Sequence, residues 1–378
     1  MEFSCQKFSY DLFQSIINDN YDKNIIFSPI SIYLALGMTL WGAQGETLSE
    51  MSKSLYWNQE NCNLYHQQLH DVIKTCNIES SPNGTVKIAN KLFLETKYNL
   101  IDTYVKSLSC LYDSKIKQLD FENHPEQACQ DINNWVENET NGKIKNLLQQ
   151  RQINNQTKLI LVNAIYFNGA WLKQFKVIGH KQFYLLNGTS KSIEMISNSE
   201  HFSYLKNDSL KFSAVKIPFK IMESILFSFM IILPDERDSL AKVEQDIFQS
   251  NWETTFNDDL FTAKNVEVIM PKFKIENSFS LSDELKKLGM LKPFSPDADF
   301  SGMTGNKDLM INDVVHKAFI DVDENGIEAA AATAVTMMLG CAMTQPQQPI
   351  EFKCDHPFMF VLLKQDSLPF FTGHFSQC

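Results

Sequence analysis

Asp321, Asp323 and Asn325, with Gly326 behind them, carry side-chain oxygens at alternate positions and then a residue suited to a sharp turn. That is the first half of a calcium-binding loop. Its closing position, which must supply a bidentate carboxylate, is Ala332, and the usually apolar eighth position is Glu328. The calcium reading fails on ligand chemistry, and no metal or other cofactor is assigned. The sequence also contains no Gly-x-Ser-x-Gly elbow, His-Glu-x-x-His pair, phosphate-binding Gly loop or dinucleotide fingerprint. Its eight histidines are mostly isolated. A triad assembled from distant residues stays open, but no catalytic residue is assigned and the chain does not read as an enzyme.

The same segment continues into Glu328, four alanines (Ala329 to Ala332), Thr333 and the β-formers Val335 to Met338. Alanine has no side-chain entropy to lose and little surface to bury, so it is nearly indifferent between water and a core. Taken alone, the run suits an Ala-rich surface helix. As a strand it sorts differently. Ile327, Ala329, Ala331, Thr333, Val335 and Met337 fall on one face, apolar apart from Thr333, and the only charge, Glu328, falls on the other.

The elements that must position this segment belong to a chain of 378 residues, 44% hydrophobic and 21% charged. That is enough to bury a large core. No linker-like stretch or composition shift divides it, so a single domain over residues 1–378 is expected. A net charge of −11, with Lys and Arg dispersed, argues against a nucleic-acid or polyanion surface. No apolar run is long enough to cross a membrane. The start, Met1-Glu-Phe-Ser-Cys-Gln-Lys-Phe8, lacks the apolar core of a signal peptide. The expected location is therefore the cytoplasm, or outside the cell without a classical signal peptide. Cysteines 5, 62, 76, 110, 129, 341, 354 and 378 show no metal-like spacing and read as free thiols. Five glycosylation sequons are close to what chance supplies in a chain rich in asparagine.

Helical patterns dominate the first third. One runs from Phe8 to Ile17, and one opens at Ser28-Pro29 with a hydroxyl cap and a first-turn proline. Others cover Cys62–Ile73 and Ile101–Leu111, and one around Trp135 stops at Asn141-Gly142. The period then changes. Lys158–Phe167 is almost continuously apolar, as in a strand covered on both faces. Phe183-Tyr184, Phe212–Pro218, Ile225–Leu233, Val266–Ile275 (interrupted by Pro271), Met310–Asp321, Phe358–Leu363 and Phe370-Phe371 read as further strands, with a short helix at Leu281–Leu288. Helices first and strands later, without βαβ alternation, give an α+β fold around large sheets.

Several stretches, in order, resemble the serpin family over essentially the whole chain. Asn24-Ile-Ile-Phe-Ser-Pro-Ile-Ser31 through Thr39, with Gly42-Ala-Gln-Gly-Glu-Thr47, resembles the family's second helix and its exit. Trp135-Val-Glu137 through Gly142-Lys-Ile144 resembles the helix that crosses the main sheet, and Leu161-Val-Asn-Ala-Ile-Tyr-Phe-Asn-Gly-Ala-Trp171 a central strand of that sheet. Asp313-Val-Val-His-Lys-Ala-Phe319 resembles the strand before the reactive-loop hinge, and Phe352-Lys-Cys-Asp-His-Pro-Phe-Met-Phe360 the signature after the loop. The chain is most similar to the ovalbumin-like, intracellular branch. Cys62–Val86 is short and poor in basic residues, so no heparin site is expected.

The resemblance implies a metastable α+β domain of three β-sheets and about nine helices, with an exposed reactive-centre loop over about 324–350. It implies a monomer that inhibits serine proteases as a suicide substrate. The protease cleaves the loop, forms a covalent acyl-enzyme, and is trapped when the loop inserts into the main sheet. Carried over by position, the hinge is Glu324, Asn325, Gly326, Ile327, Glu328, Ala329, Ala330, Ala331, Ala332 and Thr333. Glu324 and Lys272 are expected to pair near Trp171 where the loop enters the sheet. Ser28, Ser31, Asn163 and His316 resemble the buried polar cluster that lets the central strands part.

Counting seventeen residues from Glu324 places the scissile bond at Gly340-Cys341, with Met338, Leu339 and Ala342 as neighbouring alternatives. No Arg or Lys lies between Glu328 and Lys353, which disfavours a trypsin-like target. Met337, Met338, Leu339 and Cys341 suit chymotrypsin-like or elastase-like pockets. Two departures stand out. Ile327 occupies a position where inhibitory members carry Thr or Ser, and the segment after the cleavage point, rich in Gln and Pro, is longer than usual. They leave two other readings: a non-inhibitory carrier, chaperone or storage protein, and an inhibitor of cysteine proteases.

Overall fold

The computed structural model describes every residue except 1, 19, 77, 82, 223, 251 and 329–347. Helix α1 (Glu2–Ile17) and strand β1 (Ile25–Phe27) come first, then α2 (Pro29–Leu40), α3 (Gly45–Ser54) and α4 (Cys62–Cys76). Strands β2 (Ile78–Ser81) and β3 (Gly84–Glu95) precede α5 (Asp102–Tyr112), β4 (Lys117–Leu119) and α6 (Pro125–Glu139). A block of strands follows: β5 (Leu159–Ala170), β6 (Lys176–Tyr184), β7 (Ser190–Asn207), β8 (Phe212–Pro218) and β9 (Phe227–Pro234). After α7 (Leu240–Gln249) come β10 (Thr262–Pro271), β11 (Phe273–Ser280), β12 (Asp313–Val322) and β13 (Gly326–Ile327). β14 (Ile350–Lys353), β15 (Phe358–Lys364) and β16 (Leu368–Phe375) close the chain.

The strands form two hydrogen-bonded networks among the described residues. One sheet runs β11-β12-β13-β5-β3-β2, with β4 on the edge of β3. The other runs β1-β16-β15-β9-β8-β7-β10-β14, with β6 beside β7. The second network is two sheets joined by one long strand. β7 pairs with β6 and β10 along most of its length, and only Ser203–Asn207 crosses to β8. The expected three-sheet α+β architecture therefore appears as one sheet plus a linked pair.

Two apolar layers cover the β3-β5-β12 sheet. The larger core, with α2, lies on one face. On the other, Ala128, Cys129, Ile132 and Val136 of α6 pack on Ala89, Phe93, Ile160, Val162, Ala164 and Val315. This explains the unbroken apolar run of β5, since both of its faces are covered. α2 starts as expected, with Ser28 Oγ accepting from the Ser31 amide and Pro29 in the first turn. α6 ends at Asn141 (φ 52°) and Gly142 (φ 75°), whose left-handed conformations stop the helix.

Three sequence readings are corrected. The helical first third also contains β3, a twelve-residue central strand that the patterning did not reveal. The interrupted strand at Val266–Ile275 is two strands, because Pro271 ends β10 and Lys272 leads into β11. β7, the longest strand among the described residues, has no clear signature in the sequence, since its polar residues alternate with little apolar signal.

Candidate functional site

The top of the central sheet holds a small wedge. β5 and β12 run parallel and pair directly from Asp313↔Ile160 to Ala318↔Ile165. Above that, β13 lies between them, antiparallel to both: Ile327 is opposite Val322 on one side and Gly169 on the other. Ile327 is 1% exposed and joins the main core. Burying such a side chain contributes roughly 1.5–3 kcal/mol. Gly326 has no substitute here, because a Cβ would sit 2.0 Å from the Gly169 carbonyl oxygen.

The turn into this wedge is tied to the residues around it. Asp323 Oδ1 accepts from the amides of Asn325 (2.7 Å) and Gly326 (3.1 Å). Those carboxylate bonds explain the calcium-like spacing as turn chemistry. Trp171, fully buried and stacked on Phe219 at 4.5 Å, donates its indole N–H to the Asp323 carbonyl at 2.9 Å and its amide to the Asn325 carbonyl at 2.9 Å. Glu324 meets Lys272 Nζ at 2.8 Å, and Lys272 also reaches Glu194 at 3.2 Å. The Lys272 ammonium holds the Glu324 carboxyl below its ordinary range. Trp171, Lys272 and Glu324 are thus brought together at one end of the sheet.

Glu328 turns the chain away from the strand path, with φ at 53°. Its amide donates to the Asp321 carbonyl at 2.9 Å, and its own carbonyl accepts from Asn168 Nδ2. The side chain is 7% exposed and pairs with Lys143, just after α6, at 2.6 Å. The period-two reading put Glu328 on the face away from the main core; that face is the α6 side, where a cation is waiting. Lys143 lies at the end of the stretch that resembles the helix crossing the main sheet, but its spacing carries no sign of this partner.

Lower in the sheet, Asn90, Asn163 and His316 stand side by side in register across β3, β5 and β12, with Asn163 and His316 fully buried and Asn90 partly so. His316 Nε2 accepts from the Ser28 amide at 3.0 Å, which leaves Nδ1–H to donate to Asn163 Oδ1. Asn163 Nδ2 donates to Ser31 Oγ and Asn90 Oδ1. Ser31 Oγ donates to Asn90 Oδ1 at 3.2 Å, and Asn90 Nδ2 returns a bond to the Ser31 carbonyl at 3.1 Å. The network is complete only with a neutral imidazole. Burial pushes His316 down to about 3, against a smaller opposing effect from Asn163. Protonation would set a second N–H against the Ser28 amide. The structure therefore gathers Ser28, Ser31, Asn163 and His316, and adds Asn90. That residue sits in the strand missed from sequence, so its partners could not be anticipated.

Ala329, Ala330, Ala331, Ala332 and Thr333, and the bond candidates Met338, Leu339, Gly340, Cys341 and Ala342, lie outside the described residues. Among the described residues no His, Cys, Asp and Glu cluster could hold a metal ion. The six cysteines whose side chains are described are free thiols.

Comparison with known proteins agrees with this geometry. The family described as Serpin (serine protease inhibitor) matches residues 4–378. Human Serpin B3 is 37% identical, with 98% of this chain and 97% of that protein aligned. The leukocyte elastase inhibitor of Equus caballus is 35% identical over 98% and 97% of the two chains. Uncleaved ovalbumin superposes with a TM-score of 0.87 at 25% identity, covering 99% of each chain.

Proposed function

Because this chain belongs to the serpin family, we propose that it is an irreversible inhibitor of serine proteases that traps its target by inserting its cleaved loop between β5 and β12. The observation that carries this reading is the seating of Ile327. The wedge at β13 already occupies the position an inserted strand would take, and it does so without changing the alignment of its neighbours. Val322 and Gly169, which flank Ile327, have the same offset as His316 and Asn163, which touch directly lower down.

If that register continued by the strand period, Ala329 would enter between Phe167 and Ile320, Ala331 between Ile165 and Ala318, and Thr333 between Asn163 and His316. Small side chains would enter beside bulky ones. The Thr333 hydroxyl would arrive where the His316–Asn163 bond is broken and could bond either partner. The two roles carried over by resemblance are read in these terms: Trp171, Lys272 and Glu324 hold the turn, and Ser28, Ser31, Asn90, Asn163 and His316 form the closure. Ile327 departs from the family pattern in polarity, but its site is apolar and it is already filled.

The target reading is a chymotrypsin-like or elastase-like protease, cleaving at Gly340-Cys341 or at Met338, Leu339 or Ala342 beside it. Its support is the absence of basic residues between Glu328 and Lys353 and the similarity to leukocyte elastase inhibitors. The protein is read as acting as a monomer that forms a covalent acyl complex. Incubation with chymotrypsin, elastase and a papain-like protease should give an SDS-stable complex with one of the first two, and sequencing the released C-terminal peptide identifies the bond. Absence of any complex, with no rise in melting temperature after loop cleavage, would sink the inhibitory reading. A complex with the papain-like enzyme alone would move the target to cysteine proteases.

A further inference from the structure

Along β3, a half-open cavity of about 250 Å³ is lined by the last turns of α6 and the residues following α5, with Met38, Ile73 and Tyr112 at its other side. Its wall includes Lys87, Lys91 and Lys115 against Asp113 and Glu139, an excess of cations in a molecule of net charge −11. Lys87 is committed to Glu139 at 3.2 Å. Lys91 and Lys115 form no ion pair among the described residues. Strand alternation puts Lys87, Ala89, Lys91 and Phe93 on the face that α6 covers. Lys91 Nζ lies 4.4 Å from the centre of the Trp135 ring. Burial lowers the Lys91 ammonium from its ordinary value, and after the opposing pull of Glu139, Lys117 and Lys115 lower it further. Trp135 itself lines the cavity, and its indole Nε1 is buried with no hydrogen-bond partner among the described residues.

These are the marks of a site short of an anion. A cation under-compensated by counter-charge and a second free cation sit around one space bounded by the aromatic ring of Trp135. A carboxylate can accept charge-assisted bonds from two ammonium groups, and a flat ring fits beside an indole. We propose that this cavity binds a small aromatic carboxylate, with its carboxylate received by Lys91 and Lys115 and its ring packed against Trp135. The volume admits a molecule of one or two fused rings.

Titration calorimetry of the intact protein with 2-naphthoate, at low ionic strength, tests this. The expected result is saturable 1:1 binding that weakens about tenfold or more in Lys91→Met and in Lys115→Met, corresponding to about 1.4 kcal/mol each. The neutral 2-naphthamide should bind at least about tenfold more weakly, and so should 2-naphthoate to Trp135→Phe. The amide comparison needs no substitution and so stands even if a variant fails to fold. No saturable heat with 2-naphthoate would overturn the proposal. So would affinities unchanged in both lysine variants, or equal binding of the amide. Sulfate binding as tightly as 2-naphthoate would overturn the aromatic part. None of these readouts involves a protease, so they fail or succeed independently of the inhibitory function.

Discussion

His316 shows how one proton can bear on the whole sheet. Its imidazole accepts from Ser28 and donates to Asn163 only when neutral. Burial holds its folded value near 3, while an unfolded histidine titrates near 6.5. Between those values the unfolded chain binds the extra proton, so stability is full above about 6.5 and declines as pH falls toward 3. The slope from this residue approaches about 1.4 kcal/mol per pH unit. His66, lowered to about 4 by burial, adds a contribution of the same sign. Urea unfolding midpoints of the intact protein should therefore fall steadily below about pH 6.5. His316→Asn should cost about 1–3 kcal/mol at neutral pH through its imperfect bonds, yet show a shallower acid decline. An equally steep decline in that variant would assign the effect elsewhere. The sequence offered His316 through a resemblance, whereas its tautomer and its link to Asn90 depend on three strands meeting in register.

The hinge is an element arrested at its second residue. Glu328 must leave a left-handed conformation and become extended before a strand can propagate past it. Its pairing with Lys143 holds it back. Because the Lys143 side chain is 44% exposed, the pair is worth no more than about 1 kcal/mol. Lys143→Ala should accordingly speed insertion after cleavage by about two- to fivefold, read as a lower stoichiometry of inhibition. Lys143→Arg should leave the rate near that of the parent. Further along, Ala329→Arg would bring a charge between Phe167 and Ile320 on the core face of the extended register. An unpaired buried charge costs several kcal/mol, so this variant should be cleaved and released as a substrate. Undiminished complex formation would mean the loop does not enter along this register. The amphipathic reading of Ile327 and Glu328 was available from alternation alone. What alternation could not supply was that two residues of the strand are already in place, since that depends on the gap left by Trp171, Gly169 and Val322.

At the scale of the whole molecule, much of the architecture could be read along the chain. The doubly covered strand at Leu159–Ala170, the capped helix at Ser28-Pro29 and the stop at Asn141-Gly142 all carry strong local signals. The failures share a physical cause. β3 looks polar because Lys87, Asn90 and Lys91 serve a salt bridge, a buried network and a ring contact rather than an apolar face. β7 looks irregular because it belongs to two sheets and changes neighbours along its length. Such strands are specified by what lies across from them, which sequence order does not display.

The constant offset between β5 and β12 has a consequence for recognition. If a strand enters between them along the seating of Ile327, the two halves of the sheet move apart by about one strand spacing, 4.8 Å, with no sliding of one along the other. Each half then keeps its own surface, and only surfaces that bridge the seam change. An antibody whose epitope lies wholly on the β3 and β5 side would bind both states alike. One whose footprint spans β5 and β12 would distinguish a spent molecule from a fresh one.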